Sequence, residues 1–437
     1  MDSRLRGNDK KMLCDLIIKG KYVLPMDAEL SVIKDGAVAV ADGKIAAVGA
    51  AGEMAGHQAK ETIDAGNSIV MPGLINAHTH AAMAYFRGLA DDLPFDVWLN
   101  QHILPAETKY VNEEFIKKSS ELACLEMIKS GTTCFNDMYF FGAITAAKVK
   151  QAGLKAVIGD AIPNCVNAAE TIDYTVKRLK VFKNDESIKI ALAPHSVYVC
   201  SRNILEKIKQ YAAEENLQVN IHVSESEKEI ADCQIKYGKT PVAYLDEIGL
   251  LGEKTVAVHS IWLSDNDLKI YQDRGVKVAH CPVSNMKLSA GIAPLNKILK
   301  KGIIAGLGTD GAASNNTLDL LADMRVCALL HKAINFNPAV VSAPEVVQMA
   351  TSQGAKVLGW EKEIGSLEIG KKADIITINL DKPHLSPIYD PYSHLVYCAN
   401  GADVANVIVN GKVIMKNREV KTLDEEKTLA EAAEFKI

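Results

Sequence analysis

Two histidines one residue apart, His78 and His80, close the stretch PGLINAHTH at residues 72–80. Side chains alternate along a strand, so the pair shares one face while Ala77 and Thr79 share the other. Two imidazoles aimed at one spot suit zinc or a similar divalent metal, and a catalytic zinc keeps a coordination position for water. Taken alone, the pair is weak evidence for a metal and is better explained by exposed or core-satisfied histidines. His222, in QVNIHVSE, and Asp310, in IIAGLGTD, change that balance, because each closes a further apolar run. Buried ionisable groups cost several kcal/mol unless paired or metal-bound, so packing alone accounts poorly for all four. The competing role for Asp310 is a cap on the following turn.

The elements that must position these groups are legible as short apolar runs separated by helix-like segments, the pattern of repeated βα units. Eight runs can be counted: 73–80, 132–137, 155–160, 189–196, 218–225, 255–260, 276–282 and 303–310. Segment 112–130 illustrates the helical half, with Asn112 as cap, Glu113 and Glu114 in the first turn, and Gly131 as a stop. Eight strands close a barrel, so a (β/α)8 TIM barrel is expected over residues 71–364. The runs end in His80, Asp137, Asp160, His195, Glu225, His259, His280 and Asp310. In such barrels the C-terminal strand ends form the active face, and residues distant in sequence converge there. An open doubly wound sheet explains fewer of these strand-end groups, and a solenoid needs a fixed-length repeat that is not visible.

Flanking the barrel, residues 12–70 and 365–437 alternate β-like runs with turns, including Asp42-Gly43 and Asn410-Gly411 as hairpin signals. One small β-sandwich domain built from both termini is the economical reading. Residues 1–11 are polar and read as a disordered lead-in, with Met12 as an alternative start.

Composition narrows the function classes. The 437 residues are 48% hydrophobic and 24% charged, with a formal net charge of -5. A chain of this balance has no long basic run for nucleic acid or an anionic membrane, which points to a small-molecule partner. No apolar stretch is long enough for a membrane span, and no signal-peptide core is present. Nine scattered cysteines without a CxxC pair argue against a disulfide framework and for a reducing, cytoplasmic compartment.

The stretches MPGLINAHTHAAMAYFRGLADDLPFDVWL, GTTCFNDMY, HVSES, HCPVSNMKLSAGIAP, GLGTDGAASNNTLDLL and GKKADI together resemble the metal-dependent amidohydrolase superfamily. More narrowly, the sequence resembles its branch of 5'-methylthioadenosine and S-adenosylhomocysteine deaminases, from about residue 13 onward. The resemblance implies that His78, His80, His222 and Asp310 hold one divalent metal, zinc with Fe2+ as the alternative. It places His259 beside the attacking water and makes Glu225 the proton shuttle. It also implies hydrolytic deamination at carbon 6 of an adenine ring, giving the inosine analogue and ammonia, with Asp310 taking a proton from the water. The fourth run ends in His195 where binuclear relatives carry a bridging lysine, which favours one metal.

For the substrate, the resemblance makes Glu107 the acceptor of the two ribose hydroxyls, Trp98 an apolar wall and His195 a polar contact. The plainer readings are a first-turn helix charge for Glu107 and a core residue for Trp98. Met83, Phe86 and Phe95 are explained as well by packing as by the cleft. Family members that use S-adenosylhomocysteine bind its carboxylate with arginines around and after the third strand. Here residues 154–178 contain none before Arg178, and lysine is a poor geometric substitute. The expectation is a preference for 5'-methylthioadenosine, adenosine or 5'-deoxyadenosine. Rival readings are a guanine or free-base deaminase, a triazine chlorohydrolase, and a metal-free binding protein. Relatives often assemble, so a homo-oligomer is possible.

Overall fold

The computed structural model describes residues 13–54, 56–162 and 168–437. The expectations for residues 1–11 and Met12 lie outside the described residues.

The β domain drawn from both chain ends contains β1 (Leu13–Val23), β2 (Ile33–Ala41), β3 (Lys44–Ala50), β4 (Gln58–Asp64) and β5 (Ser68–Pro72). The barrel follows, as β6 (Leu74–Thr79), β7 (Thr132–Tyr139), β8 (Lys155–Ile162), β9 (Ile188–Pro194), β10 (Gln218–Val223), β11 (Thr255–His259), β12 (Lys277–His280) and β13 (Ala305–Leu307). The chain then returns to the first sheet with β14 (Ile375–Asn379), β15 (Val404–Val409), β16 (Lys412–Lys416) and β17 (Glu419–Val420). The terminal strands hydrogen-bond in one nine-stranded sheet, in which β14 joins β5 and ties the two ends of the chain together. Both hairpins form where the Asp-Gly and Asn-Gly pairs predict them, with positive φ at Asp42, Gly43, Asn410 and Gly411.

All eight predicted barrel runs are parallel strands, ordered sequentially from β6 to β13. Their sequences are nearly continuous apolar runs because a parallel strand in a barrel is covered on both faces. The helix Glu113–Lys129 begins at Asn112, whose side chain accepts the Phe115 N–H as predicted. The barrel is nearly closed. β13 meets β6 through the Asp310 N–H, donated to the His78 carbonyl at 3.0 Å, and through Asn76 Nδ2, donated to Thr309 Oγ1 at 2.7 Å. Gly308 makes the close approach possible, since a Cβ there would stand 2.9 Å from the backbone N and O of His78.

Two residues before their histidines, Asn76 and Asn220 share the inward faces of β6 and β10, and with Asn136 of β7 they form a buried polar layer under the strand ends. Asn220 Nδ2 donates to Asn136 Oδ1 at 2.8 Å, and Asn136 Nδ2 donates to the Ala77 carbonyl at 3.0 Å. Satisfied buried polar groups of this kind fix a unique register.

Candidate metal centre

The strand ends bring His78, His80, His222 and Asp310 together. Ligating atoms of the three histidines all lie within 4.8 Å of one another, as do those of His78, His259 and Asp310. Asp310 Oδ1 lies 3.4 Å from His78 Nε2 and 3.2 Å from His80 Nε2. Asp310 Oδ2 is engaged on its other side, accepting Ser284 Oγ–H at 2.6 Å and Ser314 Oγ–H at 2.7 Å. The outer nitrogens of two histidines are tied to backbone carbonyls: His80 Nδ1 to Met138 and His222 Nδ1 to His195 at 2.8 Å. Those bonds make Nδ1 the donor and turn each Nε2 toward the cluster, the usual support of a ligating histidine.

His78 is fully buried, and neither of its ring nitrogens makes a hydrogen bond among the described residues. Burial pushes its imidazole down to about 4, and burial likewise holds His222 well below the ordinary histidine value. Buried imidazoles held in the neutral form, each with a ring nitrogen left free of hydrogen bonds, are what a cation needs as ligands. Burial alone would raise the Asp310 carboxyl, but the His78 and His80 imidazoles hold it well below the usual carboxylate range. Three imidazole nitrogens and one ionised carboxylate fit a divalent metal ion.

Glu225 and His259 stand at the same mouth. His259 Nε2 is 3.4 Å from Glu225 Oε1, and His259 Nδ1 donates to Asn285 Oδ1 at 2.8 Å. Burial raises the Glu225 carboxyl, and His259 partly offsets it. The backbone here is strained: Ser224, His259, Ser260 and Asp310 all adopt left-handed φ between 51° and 67°. Such non-glycine conformations persist where surrounding contacts over-determine them, typically at functional sites.

Tyr139 Oη donates to Glu107 Oε1 at 2.7 Å, and the Tyr139 ring lies 6.0 Å from the His80 ring. Glu107 is pushed upward mainly by burial, so it is not the freely solvated first-turn charge its helix position suggests. Trp98 is buried in an apolar cluster with Met83, Phe86 and Tyr139, and its ring stacks on Phe95 at 6.0 Å. His195 follows β9, with its ring 4.7 Å from that of His222, and burial pushes it down to about 3.

Three strand-end groups do not join the cluster. Asp137 accepts the Ala81 N–H at 2.7 Å, Asp160 accepts the Gly142 N–H, and His280 Nε2 pairs with His331 Nε2 at 3.0 Å. Strand-end position alone does not set direction: these side chains turn to neighbouring backbone or to the helix Leu320–Ile334. Residues 163–167, within the stretch expected to lack a carboxylate-binding arginine, lie outside the described residues. Arg178, which follows that stretch, lies 3.7 Å from Glu113. Sequence reasoning did not single out Ser284, Ser314, Asn285 or Tyr139. The first three lie in the HCPVSN and GLGTDGAASNN stretches, where hydroxyl and amide groups beside Asp310 and His280 were the available signal.

Residues 69–414 match the Amidohydrolase family. The chain is 44% identical over 424 residues to a 5-methylthioadenosine/S-adenosylhomocysteine deaminase of Thermodesulfovibrio yellowstonii, covering 95% of this chain and 97% of that protein. It is 46% identical over 426 residues to a 5'-deoxyadenosine deaminase of Methanosarcina acetivorans, covering 96% and 97%. Its fold superposes on a zinc-bound crystal structure of an adenosine deaminase from Xanthomonas campestris with a TM-score of 0.94, at 35% identity, covering 97% of this chain and 98% of that one. With that coverage and the strand-end cluster in place, the chain belongs to the amidohydrolase family, in its branch of 5-methylthioadenosine/S-adenosylhomocysteine deaminases.

Proposed function

We propose that the protein is a metal-dependent hydrolytic deaminase that converts the 6-amino group of an adenosine derivative to the inosine analogue, releasing ammonia. The observation that carries this reading is the convergence of His78, His80, His222 and Asp310 with the Glu225–His259 pair in one barrel mouth. His78, His80, His222 and Asp310 would hold one divalent ion, zinc or Fe2+. When bound, such an ion supplies Lewis-acid activation of water at neutral pH.

The chain's own groups account for the proton movements. Asp310 accepts the proton of the attacking water, and Ser284 and Ser314 keep its other oxygen occupied so that Oδ1 faces the reacting centre. Asn285 fixes His259 with Nε2 inward, where it steadies the water. Glu225, whose carboxyl burial raises above the ordinary glutamate value, donates in its protonated form to the ring nitrogen beside carbon 6 and makes that carbon electrophilic. A C–O bond forms, the C–N bond breaks, and the amine leaves as ammonia with a returned proton. Glu107, oriented by Tyr139, accepts the two ribose hydroxyls, Trp98 supplies an apolar wall and His195 a polar contact. A guanine or triazine substrate has no diol for Glu107 to bind.

The missing arginine supports 5'-methylthioadenosine, adenosine or 5'-deoxyadenosine over S-adenosylhomocysteine. Coupled ammonia release from the metal-loaded enzyme tests both levels, across these nucleosides, guanine and an s-triazine. The nucleosides without a carboxylate should show the highest kcat/KM, and Glu225→Gln should lower kcat by about 10²- to 10⁴-fold with bound metal unchanged. Ammonia release confined to guanine, or none from any nucleoside, overturns the reading. A clear preference for S-adenosylhomocysteine overturns the specificity.

A further inference from the structure

One buried carboxyl close to Glu225 has no part in the mechanism above. Glu229 stands in the first turn of the helix Glu227–Tyr237 and is only 3% exposed. A glutamate at this position ordinarily serves the helix terminus, folding back to the N-cap amide or facing solvent. The N-cap is Ser226, whose Oγ accepts the Glu229 N–H at 3.2 Å. The Glu229 carboxyl also reaches beyond the N-cap, and its Oε2 accepts the Glu225 N–H at 2.8 Å. The other carboxyl oxygen, Oε1, is buried and makes no hydrogen bond among the described residues. The Glu229 carboxyl thus holds the Glu225 amide directly after a turn in which Ser224 adopts a left-handed φ of 55°.

That turn decides where Glu225 points. His222 faces the cluster from β10, and three residues later the chain must deliver a second side chain to the same mouth, which strand alternation does not do. The left-handed residue between them makes the reversal, and a serine stays in that conformation only while its neighbours hold it. Oxygens on the far side of the turn fix it too: the Ser224 carbonyl accepts the Ile261 and Trp262 amides at 3.0 and 2.9 Å. The geometry points to Glu229 as the positioning residue for Glu225: its carboxyl holds the Glu225 amide and fixes the direction from which the Glu225 side chain enters the site. Burial pushes Glu229 up to about 8, so near neutral pH it works as a hydrogen-bond acceptor and glutamine can replace it.

This inference rests on Glu225 being the proton shuttle. Kinetics with 5'-methylthioadenosine distinguish the two ideas. Glu229→Leu removes the acceptor, Glu229→Asp withdraws it by one methylene, and Glu229→Gln keeps it in place. The Leu and Asp variants should lose about a hundredfold in kcat with KM within about twofold, as misplacement by about 1 Å does, while Gln stays within about threefold of wild type. In a Glu225→Gln background, adding Glu229→Leu should lower kcat by less than about twofold, because the group it positions is already disabled. A wild-type kcat in both the Leu and Asp variants, a loss in Gln equal to that in Asp, or a fully additive double variant overturns the positioning role. If the Leu variant does not fold, the Asp and Gln comparison decides alone. If Glu225→Gln itself keeps kcat, the shuttle reading fails instead.

Discussion

Asp310 divides its two oxygens between two kinds of neighbour, hydroxyl donors on Oδ2 and imidazoles around Oδ1. That division orients the carboxylate before anything binds, which is how preorganised sites avoid reorganisation during reaction. Glu107 shows the opposite balance, since burial raises its pKa from the ordinary 4.5 and Tyr139 and His80 only partly offset this. To accept the ribose hydroxyls it must be ionised. As the pH falls, a raised carboxyl takes up its proton earlier than an exposed glutamate does, so the KM of a ribosyl substrate should begin to rise above pH 4.5. Initial rates from neutral to acid pH would check this, with a 2',3'-dideoxynucleoside as the comparison whose KM should not respond. A flat KM for both substrates would remove Glu107 from diol binding. At this scale the sequence showed the ligand types and the HxH face, because strand alternation is a local rule. It did not show Ser284, Ser314 or Asn285, whose directions depend on turns made by left-handed residues such as Asp310 and His259. Nor did it show Glu229, since a glutamate in a first helical turn has an ordinary electrostatic explanation.

Among the elements, all eight barrel strands were visible as apolar runs because each is buried on both faces. What the pattern could not give was the direction of each terminal side chain, and Asp137, Asp160 and His280 accordingly turn away from the cluster. The pattern was also silent on how closely β13 and β6 approach. Gly308 sets that spacing, and Gly308→Ala would place a methyl group 2.9 Å from the His78 backbone and 3.0 Å from Cys281 Sγ. The strands must part to admit it, carrying Asp310 away from His78 and His80. Overpacking of this kind costs about 1–3 kcal/mol. We expect Gly308→Ala to lower bound metal per chain and kcat together, measured by elemental analysis and ammonia release. Full metal content with unchanged kcat would show that the seam has slack.

Across the whole molecule, a buried ion pair ties the barrel to the terminal sheet. Lys155, at the start of β8, donates from Nζ to both carboxylate oxygens of Asp374 at 2.5 and 2.7 Å, and Asp374 also accepts the Asn410 N–H at 2.9 Å. Both side chains are almost fully buried. Removing one partner of such a pair leaves an uncompensated charge, so Asp374→Ala should cost about 3–5 kcal/mol of stability. Because the pair lies at the strand starts, away from the catalytic ends, kcat below the melting transition should stay within about twofold. Denaturant unfolding and kinetics on the same sample would separate the two effects. Loss of kcat without loss of stability would mean that the terminal sheet communicates with the site.

The barrel seam has a further consequence during synthesis of the chain. His78 comes from the first barrel strand, His80 directly follows it and Asp310 lies in the turn after the last, so the proposed ligand set spans the junction where the cylinder closes. A nascent chain can present the histidine pair early, yet it has no complete cation site until residue 310 has left the ribosome and β13 has docked beside β6. Ion capture would then be a late event that follows barrel closure, and an ion held across the junction would lock shut the last piece of the fold to arrive.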